Sequence, residues 1–199
     1  MLFAQDVVTR NPGADVVFDV KCSKYLSQLI TRHGGRPVLW KTGHGYMKEK
    51  MRETGALLGG EFSGHMFFGE RWYGFDDGMY AAGRLAEILS GHGLSLDECL
   101  AELPVAYSTP EILIPISEEE KFLVMKKITE NADFAPGKVN TIDGIRVDYK
   151  DGWGLLRASN TTAALTARFE ASSEEELDVI MQEFRAQVGL IEPGLELPF

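Results

Sequence analysis

The sequence predicts an α/β unit followed by a small α+β unit, with the boundary near Pro104. Three observations lead to this reading. In the first half, short apolar runs alternate with stretches of helical period. In the second half, period-two alternation is flanked by two Ser-x-x-Glu helix starts, at Ser117 and Ser173. Between the halves, Pro104 and Pro110 interrupt both patterns.

Taken in order, Val16-Val17-Phe18-Asp19-Val20 is a short apolar run that suits a buried strand. A helix pattern follows, with Cys22, Leu26, Leu29, Ile30 and His33 on one side, stopped by Gly34-Gly35. Pro37 opens the next strand, Val38-Leu39-Trp40. Strand, helix and strand make a βαβ unit with parallel strands and a right-handed crossover. The turn Lys41-Thr42-Gly43-His44-Gly45 follows, and then a helix from about Tyr46 to Thr54. Met66-Phe67-Phe68 reads as a strand. The next helix, after Asp76-Asp77-Gly78, carries Met79, Ala82, Leu85, Ala86 and Leu89 on its apolar face and ends at Gly91. Ser95 caps one more short helix. In the second unit, Ile145, Val147 and Tyr149 alternate with Arg146, Asp148 and Lys150, and Asp151-Gly152 supplies a hairpin turn. Leu165, Ala167 and Phe169 alternate in a later strand. Helix, antiparallel strands and helix in this order give the α+β unit.

Composition excludes several classes. The chain has 199 residues, 44% hydrophobic and 25% charged, as in an ordinary globular protein. No apolar run reaches the length of a membrane span, and Met1-Leu2-Phe3-Ala4-Gln5-Asp6 lacks the flank and core of a signal peptide, so no membrane partner is expected. The net charge of −10 argues against nucleic acid and requires a local basic cluster for any anionic ligand. Cys22 and Cys99 read as buried reduced thiols of a cytoplasmic protein.

Two stretches carry candidate chemistry. Gly59-Gly60-Glu61-Phe62-Ser63-Gly64-His65 places a carboxylate, a hydroxyl and an imidazole at alternate positions. In an extended segment these three side chains project from one face, and their donors and acceptors suit a polyhydroxylated ligand such as a sugar. A glycine-rich turn before an apolar strand is the plain alternative. Arg157-Ala158-Ser159-Asn160-Thr161-Thr162 joins a planar guanidinium fork to three hydroxyls and an amide, a set suited to phosphate. A solvated polar hairpin loop is the alternative there. His44 sits where α/β sheets gather ligands, beyond a strand's carboxyl end, yet for a lone histidine the plain reading, a helix-capping turn residue, normally prevails. Lys21, at the end of the first strand, reads alone as a solvated lysine. His44, His65 and Glu61 form a conceivable zinc-like triad, but no local spacing such as HxxxH supports it, and no metal ligand is assigned.

Together with Asn11-Pro12-Gly13-Ala14-Asp15, Asp19-Val20-Lys21-Cys22, Lys41-Thr42-Gly43-His44 and Phe75-Asp76-Asp77-Gly78, these loops resemble the C-terminal half of the bacterial phosphomannomutase/phosphoglucomutases of the α-D-phosphohexomutase superfamily. The resemblance implies a third-domain-type α/β mixed sheet with flanking helices over residues 1–104. It implies a fourth-domain-type small α+β fold, with an antiparallel sheet and helices, over residues 105–199. It also implies roles. Glu61 and Ser63 would hold sugar hydroxyls, and Arg157, Ser159, Asn160 and Thr161 would clamp the substrate phosphate. Lys21, His44 and His65 would line the cleft, with His44 or His65 transferring a proton. Such enzymes interconvert hexose 1- and 6-phosphates of mannose or glucose through a phosphoserine and a bisphosphate.

The family's TASHNP-type serine loop and DGDGDR-type Mg2+ loop do not occur in this sequence. The resemblance therefore implies Mg2+ in the intact enzyme, none bound by this chain, and no turnover without a missing N-terminal half. Met1-Leu2-Phe3-Ala4 resembles the interior of a helix joining the second and third domains, as in a fragment starting at an internal methionine. Ala163 stands where relatives commonly have proline, which implies a looser phosphate loop. A non-catalytic sugar-phosphate-binding module, or a half that completes a split enzyme in trans, is the rival expectation.

Overall fold

The computed structural model describes residues 1–199 and divides into two units, Met1–Pro104 and Val105–Phe199. In the first unit, α1 (Leu2–Arg10) sets Ala4, Val7 and Val8 into the core at helical spacing. β1 (Asp15–Asp19) is buried from Val16 to Asp19. Both of its faces are covered, which is why its sequence is a continuous apolar run.

Ser23 caps α2 (Lys24–Arg32), its hydroxyl accepting the Tyr25 N–H at 3.2 Å. The helix thus starts after Cys22, which the periodicity had placed inside it; the cap serine fixes the boundary. β2 (Arg36–Trp40) pairs with β1 in parallel, from Asp15↔Arg36 to Asp19↔Trp40. It tolerates Pro37 because it is an edge strand. α3 (His44–Thr54) begins at His44, two residues earlier than expected, with Gly43 as its cap.

β3 (Leu58–Gly60) runs parallel to β1, and β4 (Met66–Phe68) runs antiparallel to β3. The sheet is therefore mixed, in the order β2-β1-β3-β4. Val16, Phe18, Leu58 and Phe68 pack on one face with Val7, Val8 and Ile30. Val17 and Phe67 pack on the other with Met47 and Met51 of α3.

α4 (Gly78–His92) differs from expectation twice. It runs through Gly91 and stops at Gly93, which adopts the left-handed conformation at φ 65°. Its inward face is also rotated: Met79, Ala82 and Ala86 are exposed, whereas Arg84 and Ile88 are buried. An arginine occupies the central core position of this helix, so the apolar pattern misplaced the face. α5 (Leu96–Ala101) follows, with a complete capping box between Ser95 and Glu98.

The second unit starts with β5 (Tyr107–Ser108) and β6 (Ile112–Pro115), both antiparallel to β10 (Ala164–Ala171). A turn capped by Ser117 precedes α6 (Lys121–Asn131). β7 (Lys138–Asn140), β8 (Ile145–Asp148) and β9 (Gly152–Ala158) complete an antiparallel sheet in the order β5-β10-β9-β8-β7. The central residues of the β8–β9 turn are Lys150 and Asp151, closed by the Tyr149 N–H to Gly152 C=O bond at 2.8 Å. Gly152 is already a strand residue, where a Cβ would lie 2.4 Å from the Glu170 carbonyl oxygen.

α7 (Glu174–Ile191), capped by Ser173, packs Ile180, Phe184 and Val188 into a core with Leu156, Leu165, Ala167 and Phe169. The opposite face of the strands is also buried but polar. There Arg146 lies over the Trp153 ring at 4.0 Å, and the Trp153 Nε1–H donates to Glu170 at 3.1 Å. No helix is long and apolar enough to cross a membrane.

Candidate functional site

In the first unit the candidate residues gather at the carboxyl ends of β1, β2 and β3. Asp19, fully buried at the end of β1, accepts from the Lys21 N–H at 3.1 Å, the Cys22 thiol at 3.3 Å and the Thr42 hydroxyl at 3.4 Å. One carboxylate thus ties the loop after β1 to the loop after β2. Burial pushes its pKa up, and the nearby Lys21 opposes that shift. Lys21 is itself buried, contrary to its solvated reading, and its ammonium lies 6.0 Å from the centre of the Phe62 ring.

The Glu61–His65 segment is a tight turn rather than an extended strand. The Gly64 N–H bonds to the Glu61 carbonyl at 3.0 Å, and the Glu61 N–H bonds to the His65 carbonyl at 3.0 Å. Gly64 has φ +93°, a conformation that favours glycine. The turn still brings the three side chains together. Ser63 Oγ lies 2.8 Å from His65 Nδ1, and His65 Nδ1 lies 3.3 Å from Glu61 Oε2.

Glu61 is 4% exposed, and its Oε1 accepts the Gly43 N–H at 2.7 Å at the start of α3. A carboxylate there meets the positive end of the helix. Its Oε2 lies 3.8 Å from Nε2 of His44, the first residue of that helix. The two imidazoles meet edge to face with centroids 4.3 Å apart, and Phe67 packs against His44 at 5.2 Å. Asp76 adds a second carboxylate, with Oδ2 4.0 Å from His44 Nε2 and Oδ1 held by the Met66 N–H. The arrangement is a half-exposed imidazole pair on a buried, fixed carboxylate. It can exchange hydrogen bonds with hydroxyls, carry a proton, or hold a metal ion.

In the second unit the polar loop joins β9 to β10. Arg157 is buried in β9; its Nε donates to Asp143 Oδ2 at 3.1 Å, while its Nη2 is buried without a hydrogen-bond partner. The Ser159 hydroxyl braces the loop from within, accepting from the N–H groups of Thr161 and Thr162 at 3.3 and 3.2 Å and from the Thr162 hydroxyl at 2.7 Å. Asn160 and Thr161 are exposed at the tip.

Lys121, at the start of α6, is almost completely buried beneath this loop. Its ammonium donates to the carbonyls of Ser159 at 2.7 Å and Thr162 at 3.0 Å and pairs with Glu118 at 2.7 Å. Lys121 lies outside both candidate loops of the sequence. The available signal was a lysine in register with Met125 and Ile128 on the buried stripe of the helix.

Residues 1–107 match the family model for the phosphoglucomutase/phosphomannomutase alpha/beta/alpha domain III, and residues 111–187 match that for the C-terminal domain. The chain belongs to the phosphoglucomutase/phosphomannomutase family. Along its whole length it is 54% identical to a phosphomannomutase/phosphoglucomutase of Pseudomonas aeruginosa, of which it covers 43%. It is 48% identical over 190 residues to a phosphoglucomutase of Neisseria gonorrhoeae, covering 94% of this chain and 41% of that protein. A solved phosphoglucomutase/phosphomannomutase family structure from Burkholderia thailandensis superposes with a TM-score of 0.92 at 47% identity. That match covers all of this chain and 42% of the other. The chain thus spans well under half the length of these relatives. Within the family frame, residues 1–104 hold the imidazole–carboxylate turn and residues 105–199 hold the Arg157 loop.

Proposed function

We propose that this chain is the sugar- and phosphate-recognition half of a phosphohexomutase that interconverts hexose 1- and 6-phosphates of glucose or mannose. The observation that carries the reading is the family match across both units, each with its recognition loop present in the sequence. In this account the first unit's turn reads the sugar. The Ser63 hydroxyl and the two imidazoles contact the ring hydroxyls, and Lys21 adds positive charge. Glu61 acts chiefly by orienting His44 and His65, because one of its oxygens is already bound to the start of α3. His65, bonded to Ser63 and facing Glu61, is the better placed group to carry a proton.

The second unit's loop holds the phosphate. A phosphate oxygen would satisfy the unpaired Nη2 of Arg157, with the exposed Asn160 and Thr161 completing the clamp and Ser159 holding the loop's shape. Positioning of this kind is what phosphoryl transfer asks of a protein.

The family implies Mg2+. The donor set in this chain, two imidazoles and one carboxylate, does not fit an ion that prefers six oxygen ligands. A coupled assay for glucose 1-phosphate conversion tests the reading. The purified chain alone is expected to give no turnover, and co-expression with a phosphoserine-bearing half from a relative is expected to restore it. Turnover by the chain alone contradicts the assignment.

A further inference from the structure

We propose that His44, Glu61 and His65 form a binding site for a divalent transition metal of the Zn2+ type. One ligating atom from each of the three residues lies within 4.8 Å of the other two. Zn2+ binds histidine nitrogen and carboxylate oxygen at about 2.0–2.2 Å in a tetrahedron, which sets ligand separations of about 3.4 Å. The observed separations from Glu61 Oε2 are 3.3 Å to His65 and 3.8 Å to His44. Closing the set requires ligating atoms as much as 4.8 Å apart to draw in to about 3.4 Å, and both imidazoles are half-exposed.

The carboxylate needs no movement. Gly43 pins Oε1 and leaves Oε2 facing the rings, the kind of outer support that metal ligands require. A metal that takes the His65 Nδ1 lone pair must displace the Ser63 hydroxyl, which lies 2.8 Å from that nitrogen. Asp76, 4.0 Å from His44 Nε2, adds negative charge against a dication. Imidazole-rich donors favour Zn2+ and Cu2+ over Mg2+ and Ca2+. Three protein ligands leave the fourth position to water or to an oxygen of a bound molecule.

A consequence rests on the functional reading above: a metal held here occupies the groups that read the sugar, so Zn2+ and hexose phosphate compete. Titration calorimetry of the intact chain with Zn2+, in buffer containing millimolar Mg2+, tests the site. One saturable site is expected, weakened at least tenfold in His44→Ala, in His65→Ala and in Glu61→Gln. His92→Ala, outside the cluster, is expected to bind as the parent does. Far-UV circular dichroism and urea midpoints confirm that each variant is folded. Undiminished Zn2+ binding in the folded His44→Ala/His65→Ala double variant overturns the site, as does its absence in the parent chain. Zn2+ that leaves glucose 1-phosphate affinity unchanged overturns the competition alone. If Zn2+ binds through the histidines but glucose 1-phosphate does not bind at all, the metal site stands and the functional reading fails.

Discussion

Arg84 sits where an apolar residue was expected on α4, with a side chain 4% exposed, and the surroundings explain its tolerance there. Its Nη2 pairs with Asp6 Oδ2 at 3.0 Å and Glu70 Oε2 at 2.8 Å, its Nη1 donates to the Tyr80 hydroxyl, and its plane lies 4.7 Å from the Phe68 ring. Breaking a buried ion pair costs about 3–5 kcal/mol, and the lower end applies here because Asp6 keeps Arg10 and Glu70 keeps Arg10 and Arg71. Arg84→Met should therefore lower the stability of the first unit by about 3 kcal/mol despite its similar volume, read as a shift in urea midpoint at constant m. Apolar periodicity is blind to such a residue, because it scores charge as surface.

Cys22 offers a pH test at the same scale. Burial first, and then the neighbouring Asp19 carboxylate, push its thiol well above the ordinary range. The folded chain then holds that proton more tightly than the unfolded chain does. Stability from this group is fully present below the unfolded thiol value of about 8.5 and is lost as pH rises beyond it. The decline in urea midpoint between pH 8 and 10 should be smaller in Cys22→Ala than in the parent.

At the scale of elements, two loops carry the proposed function, and each was legible in part. The Glu61–Ser63–His65 convergence was expected from a strand with alternate side chains on one face. It arises instead from a turn whose ends are bonded Glu61 to His65 and whose corner is Gly64. The three side chains converge as expected, but on a different backbone. The start of α3 at His44 was less visible, because a Gly-His-Gly string gives no strong cap signal; the Glu61 carboxylate on the Gly43 N–H supplies it from 18 residues away.

In the second unit the loop residues were plain in the sequence, but their support was not. Lys121 lies 38 residues before Ser159 and reaches the loop through main-chain carbonyls, which leave no pairwise trace in composition. Lys121→Met should leave both carbonyls without this donor and cost about 1–3 kcal/mol. If Lys121 positions the loop, hexose-phosphate affinity should fall along with the urea midpoint, and Lys121→Arg should recover part of both. Unchanged affinity in the destabilised variant would show that the lysine serves the fold alone.

For the whole molecule, the two-unit division followed from the change of pattern around Pro104, and the structure separates the units at that residue. The parallel βαβ start was legible because its strands are continuous apolar runs between well-marked helices. The buried polar face in the second unit, with Arg146 and Arg168 around Trp153, was not, because alternating charge reads as a solvated face. On the proposed function, the chain alone binds a hexose phosphate, and the Arg157 loop supplies most of the affinity. Titration calorimetry with glucose 1-phosphate on the parent, Arg157→Ala and Ser63→Ala, each first shown to be folded, tests it most directly. One-to-one binding, weakened more by Arg157→Ala than by Ser63→Ala, is the predicted result. Absence of binding by the folded parent, or the reverse order of the two variants, would contradict it.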